Sequence, residues 1–332
     1  MINFFSHKLE HTSNLIFNYI LYFGYEEFIN RFNTNERINS LDITLGKSGI
    51  CYKFTNEKGV EFQNEKNNCS FSRRHTILFK SVFFNQQLER MEDLSLVEMT
   101  KVSQLILLDV SQSKPSYGNA VKEIEDDKLL QLKAAIEFDI SIPKTLITTQ
   151  KQSVEKFNEN HSEIIIKPIS NHSDLKNENF LWHATGTRIF DEIDIQNLPD
   201  HFFPTLFQEN INKLFEIRVF FFESKFWSMA IYSQRNEKTQ IDFRNYDSEN
   251  GNRCVPYKLT DSIEKKLLGL VKNLNYTTGS IDLIYTEKEE YIFLEINPSG
   301  QFGMVSIPCN FQIEKFIAQY LISHEEKKNK SF

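Results

Sequence analysis

The stretch that decides the fold is residues 279–298, which read GSIDLIYTEKEEYIFLEINP. Two apolar runs flank a short charged segment, a pattern that predicts two antiparallel strands joined by a tight turn. Because side chains alternate along a strand, Glu295 and Asn297 share one face, and a loop at 287–290 places Asp282 directly opposite Glu295. The sequence therefore predicts a hairpin with three oxygen-bearing side chains on one face.

This face has two interpretations. Two facing carboxylates repel each other unless a cation lies between them, and an all-oxygen set suits a Mg²⁺ ion that bridges nucleotide phosphates. The pattern also fits a solvated strand face, because Leu283, Leu294 and Ile296 can fill the opposite, core-facing side without any metal. The hairpin alone leaves both interpretations open.

Composition excludes several classes of protein. The chain has 332 residues, 40% hydrophobic and 25% charged, enough apolar material for two or three packed subdomains. Its formal net charge of −7 argues against a nucleic-acid partner, because proteins that bind nucleic acid normally carry a surplus of Lys and Arg. The apolar segment 15–23 is shorter than the roughly 20 residues that a membrane helix needs. The cysteines follow no zinc or disulfide spacing, so we expect a cytoplasmic globular protein with no membrane partner. They are Cys51, Cys69, Cys254 and Cys309.

Turn-forming residues at 111–119 mark the clearest linker. We expect an N-terminal αβ domain at 1–117, a central subdomain at 118–204, a C-terminal subdomain at 205–326 and a frayed tail at 327–332. Helical periodicity predicts helices at 8–23, 126–138, 151–159, 261–274 and 311–323. Apolar and β-branched runs predict strands at 145–149, 163–168, 214–222 and 226–234.

Charged side chains stand at the ends or on single faces of these strands. Lys167 ends a buried strand, where it is either a surface cation or a group that reaches a phosphate. Glu216 and Arg218 share one strand face, and Asp242 and Arg244 share another, as surface ion pairs also do. Taken singly, none of these residues identifies a site.

Taken in order, these residues resemble the motifs of the ATP-grasp ligases. The match runs through Lys128, Ile142-Pro143-Lys144-Thr145, Lys167-Pro168, Gln208-Glu209, Glu216-Ile217-Arg218, Asp242-Phe243-Arg244, Asp282 and Glu295-Ile296-Asn297-Pro298. Within that superfamily, three segments look most like the microviridin-type graspetide ligases, and in particular like the grasp-with-spasm peptide maturases. These segments are 208–211, 231–234 and 295–303.

The resemblance implies an α/β (α+β) ATP-grasp fold, with a central lid subdomain, a C-terminal mixed-sheet subdomain, and ATP and Mg²⁺ as cofactors. By the same resemblance, Lys128 and Lys167 contact phosphates, Gln208, Glu209 and the backbone near Ile211 hold adenine, and Glu216 serves the nucleotide side. Arg218 and Arg244 are implied as catalytic residues near the transferring phosphate, and Asp282, Glu295 and Asn297 as Mg²⁺ ligands. The sequence departs from many ATP-grasp enzymes in one place, since the loop 169–184 contains no glycine.

The function implied by the resemblance is macrocyclisation of a ribosomally made precursor peptide with a leader and a core. An Asp or Glu side chain is activated as an acyl phosphate and then joined to a Thr or Ser hydroxyl as an ester, or to a Lys amine as an amide. The resemblance also leaves room for a SPASM-type radical enzyme encoded nearby and for a homodimer. Two alternatives stay open: a ligase that adds a free amino acid to a protein or small-molecule carboxylate, and a catalytically silent nucleotide- and peptide-binding module.

Overall fold

The structure is a computed structural model. It describes residues 1–34, 36–67, 69–75, 77, 89–112, 115–118, 120–124, 127–169, 175–176, 181–182, 186–234, 240–241 and 251–329. Within these residues, no helix is long and apolar enough to span a membrane.

The strands, in chain order, are β1 (Ile2–Ser6), β2 (Ile29–Asn33), β3 (Ile38–Gly46), β4 (Gly49–Asn56), β5 (Glu61–Gln63), β6 (Cys69–Ser72), β7 (Ser116–Tyr117), β8 (Thr145–Gln150), β9 (Ile164–Lys167), β10 (Leu175–Lys176), β11 (Leu181–Trp182), β12 (Arg188–Ile189), β13 (His201–Glu209), β14 (Lys213–Phe222), β15 (Lys225–Tyr232), β16 (Arg253–Tyr257), β17 (Thr278–Thr286) and β18 (Tyr291–Asn297). The helices are α1 (His11–Tyr22), α2 (Glu89–Gln112), α3 (Ala120–Ile124), α4 (Lys128–Glu137), α5 (Lys151–Glu159), α6 (Glu192–Asn197), α7 (Asp261–Asn273), α8 (Gly303–Cys309) and α9 (Ile313–Asn329).

The chain forms two compact units. The first unit comprises Met1–Glu125, Tyr276–Gly279 and Pro298–Phe332, and the second comprises Asp126–Asn275 and Ser280–Asn297. The helices predicted at 8–23, 126–138, 151–159, 261–274 and 311–323 correspond to α1, α4, α5, α7 and α9. The predicted strands correspond to β8, β9, β14 and β15, with ends that differ by a few residues.

The first unit contains a parallel sheet in the order β2-β1-β6-β7 and an antiparallel sheet in the order β3-β4-β5. Every residue of β1 is buried, as expected for a strand of a parallel sheet covered on both faces. Aromatic side chains form much of the core of the first unit. One buried cluster contains Phe5, Phe32, Tyr52, Phe54 and Phe62.

The predicted linker carries part of this sheet. Ser116 and Tyr117 form β7, which pairs with β6. The next residue, Gly118, has φ +80°, and a Cβ there would lie 1.8 Å from the carbonyl oxygen of Ser72. A side chain at residue 118 is therefore disfavoured both by the positive φ and by the close approach of the Ser72 backbone.

The second unit contains two larger sheets. One has the order β12-β9-β13-β8, and the other, five-stranded, has the order β16-β15-β14-β17-β18. Helix α4 is bonded to the end strand β18 through Gln131, whose side-chain amide donates to Ile296 O at 2.8 Å and accepts from Ile296 N at 2.7 Å. The side chain therefore satisfies both backbone groups of Ile296.

The hairpin register confirms the predicted facing pair. Asp282 lies opposite Glu295, and Ser280 lies opposite Asn297. The register then shifts, because Leu283 pairs with Phe293 and leaves Leu294 as an extra, bulged residue. The prediction that Leu294 fills the core face is therefore wrong: Phe293 is fully buried, whereas Leu294 is only half-buried and lines a cleft beside Glu295.

Candidate functional site

A cleft in the second unit gathers charged side chains from both of its larger sheets and from α4. Its enclosed volume is about 50 Å³, and the empty space reaches about 620 Å³ when the open mouth is included. Most of the residues predicted from the sequence line it: Lys128, Lys167, Glu209, Ile211, Glu216, Asp282 and Glu295. We call this the charged cleft. Their proximity is an observation, while the role of each stays a prediction.

Each of the two facing carboxylates has its own cationic partner. Arg218 Nη1 from β14 lies 2.6 Å from both carboxylate oxygens of Asp282 on β17, and both residues are buried. Lys128 Nζ, at the start of α4, lies 3.1 Å from Glu295 Oε2. The repulsion expected from the sequence is therefore relieved by side chains that come from outside the hairpin.

The position of Lys128 follows from the start of α4. Asp127 is the N-cap residue, and its carboxylate accepts hydrogen bonds from Leu129 N at 2.9 Å and Leu130 N at 3.1 Å. Asp is a favoured N-cap because its oxygen satisfies free amides of the first turn. The cap fixes where the helix begins, and Lys128 is its first residue.

The carboxylate oxygens of the charged cleft are suitable ligands for a Mg²⁺ ion that is also coordinated by nucleotide phosphates. Among the described residues, no group of three His, Cys, Asp or Glu side chains is placed to hold a metal by itself. Protein-bound Mg²⁺ commonly takes one or two carboxylates and completes its shell with phosphates and water, and Asp282 and Glu295 can supply the two carboxylates. The third predicted ligand, Asn297, is half-buried opposite Ser280 and is not among the residues that line the cleft.

The cleft is also lined by apolar side chains. Glu209 Oε1, in the same lining, accepts from Lys144 N at 2.7 Å, which ties the end of β13 to the residues before β8. The apolar residues of the lining are Pro143, Ile165, Ile211, Ile241, Ile284 and Leu294. Apolar walls with a few placed polar groups are typical of a site for a flat ring such as adenine.

Of the remaining predicted site residues, Gln208 lies within the described part of the chain and Arg244 does not. Gln208 is buried and outside the cleft lining, and its Nε2 donates to Thr145 Oγ1 at 2.9 Å, a bond between neighbouring strands. Arg244 and Asp242 lie outside the described residues, as does most of the glycine-free loop.

Lys213 lines the cleft and was missed from the sequence. Its ammonium lies 2.5 Å from Glu216 Oε1 and 3.1 Å from Ile241 O, and Glu216 Oε2 also accepts from Ser233 Oγ. Alternation along a strand puts residues three apart on opposite faces, so the pattern does not pair Lys213 with Glu216. Lys213 is the first residue of β14, where alternation constrains the side chain least.

Comparison with known proteins gives one family match. The family model for the ATP-grasp domain of prokaryotic glutathione synthetase matches residues 128–179. A search of the curated proteins finds no match.

Solved structures match nearly the whole chain. The macrocyclase MdnC from Microcystis aeruginosa MRC, bound with precursor peptide MdnA, is 25% identical, covers 97% of this chain and 100% of its own, and has a TM-score of 0.75. A RiPP-associated ATP-grasp ligase from Chryseobacterium gregarium, in complex with ADP and a leader and core peptide, is 22% identical over 97% of this chain and 96% of its own, with a TM-score of 0.81. The ATP-grasp ligase PsnB, complexed with minimal precursor, Mg and ADP, is 16% identical over 97% and 96%, with a TM-score of 0.70.

The fold and the domain match define the class: the chain has the ATP-grasp fold. Among ATP-grasp proteins, it resembles the RiPP-associated peptide ligases from end to end. The predicted α/β fold and the predicted superfamily are therefore confirmed.

Proposed function

We propose that this protein is an ADP-forming ligase that uses ATP and Mg²⁺ to macrocyclise a ribosomally made precursor peptide. The observation that carries the proposal is the pair of facing carboxylates, Asp282 and Glu295, which line one cleft and are each paired with a separate cation. The proposal is supported further by the full-length similarity to MdnC and to the Chryseobacterium gregarium ligase, whose structures contain precursor or leader and core peptides.

The ion pairs of the cleft suggest how nucleotide and metal are received. Asp282 and Glu295 would hold Mg²⁺ through their carboxylates. Arg218 and Lys128, which pair with them in the structure, would together with Lys167 hold phosphate oxygens. Asn297 and Arg244 belong to the proposed site as a third ligand and a second catalytic arginine.

A carboxylate is a poor electrophile, so its oxygen must first be converted into a leaving group. The substrate carboxylate attacks the γ-phosphorus of ATP, which gives an acyl phosphate and ADP. A Thr or Ser hydroxyl, or a Lys amine, of the same peptide then attacks the acyl carbon and loses its proton, and phosphate leaves. Arg218 stabilises the negative charge that develops, and holding both peptide groups close together does most of the remaining work.

The proposal extends to partners and location. It includes a peptide with a leader that docks and a core that reacts, a SPASM-type radical enzyme encoded nearby, and a homodimer. It also places the reaction in the cytoplasm, in keeping with four cysteines of which none forms a disulfide.

The test is incubation of the protein with ATP, Mg²⁺ and a candidate precursor encoded beside it, followed by mass spectrometry and an ADP assay. Peptide-dependent ADP formation with loss of one water mass per ring is the expected result. A precursor whose Asp and Glu residues are replaced by Asn and Gln is the matched control and should stay unchanged. Gain of an amino-acid mass would instead support a free amino-acid ligase, and absence of ADP would support a silent binding module.

A further inference from the structure

Lys213 is a cleft residue to which the resemblance assigned no role. Its side chain is only 7% exposed, and a lysine is rarely buried unless it is paired. Of its three N–H donors, one faces the carboxylate of Glu216 and another faces the backbone oxygen of Ile241. This lysine therefore joins two separate parts of the cleft wall.

The two partners of Lys213 are of different kinds. Glu216 is a buried carboxylate from β14 that lines the cleft, and Ile241 supplies an apolar side chain to the same cleft. Ile241 lies outside the described strands, and within the part of the chain that the structure describes its backbone oxygen accepts from the Lys213 ammonium. The bond from Lys213 fixes this apolar residue relative to the carboxylate.

We propose that Lys213 is a positioning residue for the nucleotide, which holds the Glu216 carboxylate and the apolar wall at Ile241 in the arrangement that binds the base and ribose. The inference rests on the proposed function, because it takes the charged cleft to be the nucleotide site. The inference adds Lys213 to the proposed nucleotide site as a residue that acts through Glu216 and Ile241.

The second unit offers a matched control. Lys266 Nζ also bonds a carboxylate and a backbone oxygen, since it lies 2.6 Å from Asp139 Oδ2 and 2.6 Å from Asp139 O. Lys266 does not line the charged cleft. A lysine with the same pair of acceptor types is therefore available away from the proposed site.

The experiment is calorimetric titration of the full chain with Mg²⁺ and ADP, alongside thermal melting. Lys213→Met should raise the Kd for ADP about 10-fold or more, the factor expected for a lost charged hydrogen bond. Lys213→Arg should recover part of the affinity, and Lys266→Met should bind as the wild type does. If Lys213→Met does not fold, Lys213→Gln carries the same expectation, because it keeps a donor but loses the charge.

Two outcomes would overturn the inference. One is a Lys213 variant that melts at a lower temperature yet binds ADP with the wild-type Kd, which would make the residue merely structural. The other is an equal loss of affinity in the Lys213 and Lys266 variants. If the wild type itself bound no ADP, the proposed function would fail together with the inference, whereas wild-type binding with unchanged variants contradicts the inference alone.

Discussion

Three carboxylates of the charged cleft are each paired with a cation. Asp282 is paired with Arg218, Glu295 with Lys128, and Glu216 with a third cation, Lys213. Removing one member of a buried pair leaves the other charge unpaired, which costs more than the pair itself contributes. Substitutions here therefore need to preserve size and hydrogen bonding if chemistry is to be separated from folding.

Glu295→Gln is the clearest test of a metal ligand. The amide keeps the shape of the side chain and can still accept a hydrogen bond from Lys128, so stability should change by only about 1 kcal/mol. Loss of the charge should lower Mg²⁺-dependent ADP formation by about 100-fold or more. Glu290→Gln, an exposed carboxylate in the turn of the same hairpin, should have no effect. Wild-type turnover in Glu295→Gln would refute the assignment.

Glu123 should make the stability of the protein depend on pH. Burial raises its pKa to about 7, against the lesser effect of a hydrogen bond from Arg74 N, and its Oε1 has no hydrogen-bond partner among the described residues. Between pH 4.5 and about 7, the folded protein keeps a proton that the unfolded chain has released. The contribution of Glu123 to the free energy of unfolding should therefore fall as pH rises through this window, by about 3 kcal/mol.

Glu123→Gln isolates this effect. Urea unfolding of the variant and the wild type should give a difference that grows from pH 4.5 to about 7 in favour of the variant. Comparing the two proteins cancels other groups, such as His75, whose pKa burial lowers to about 3 and which acts in the opposite direction. A difference that stays constant with pH would contradict the assignment.

Among the secondary-structure elements, α4 and β18 together place Lys128 beside Glu295. Gln131 makes this connection, since it occupies both the N–H and the C=O of Ile296 on an end strand. Gln131→Met should leave two buried backbone groups unpaired, lower the free energy of unfolding by about 2–4 kcal/mol, and weaken ADP binding.

Urea denaturation and calorimetric titration measure these two effects of Gln131→Met. Lys133→Met on the exposed side of α4 removes only a surface pair with Glu137 and should change neither quantity appreciably. An unchanged stability in Gln131→Met would show that water or rearrangement replaces the side chain.

The strands and helices were largely predictable, but their cross-connections were not. The facing of Asp282 and Glu295 predicted from strand alternation is confirmed, although the pairs nearer the turn are shifted by one residue from the predicted register. The same rule failed at Leu294, because a bulge adds one residue to one strand and its apolar sequence carries no sign of it. The partners Arg218 and Lys128 come from β14 and α4, and local periodicity does not specify which elements become neighbours.

At the scale of the whole molecule, segments far apart in the first unit's sequence contact one another. The N-terminal amine lies 2.8 Å from Glu325 Oε2, and Cys69 lies against the backbone of Leu321. No local pattern predicts contacts between residues so far apart in the chain. The boundaries at residues 117 and 204 remain a prediction, while the two contact units alternate along the sequence.

A chain that ends at Gln312 should lose the fold of the first unit. It lacks α9, whose Ile313, Ile317 and Leu321 are fully buried, and burying each such side chain contributes about 1.5–3 kcal/mol. That loss is comparable to the whole stability of a typical domain. Limited proteolysis should degrade residues 1–125 rapidly, whereas a chain that ends at Asn329 should resist as the full chain does. Equal resistance of both would contradict the expectation.

The bulge in β18 separates two features of that strand, the position of Glu295 opposite Asp282 and the position of Leu294 in the cleft lining. Without Leu294, the strand would return to plain alternation, and Asp282 would still lie opposite Glu295. The facing carboxylates can therefore be retained whether Leu294 is present or absent. Related hairpins that differ at the bulge would therefore differ in the apolar lining of the cleft and keep the same pair of carboxylates.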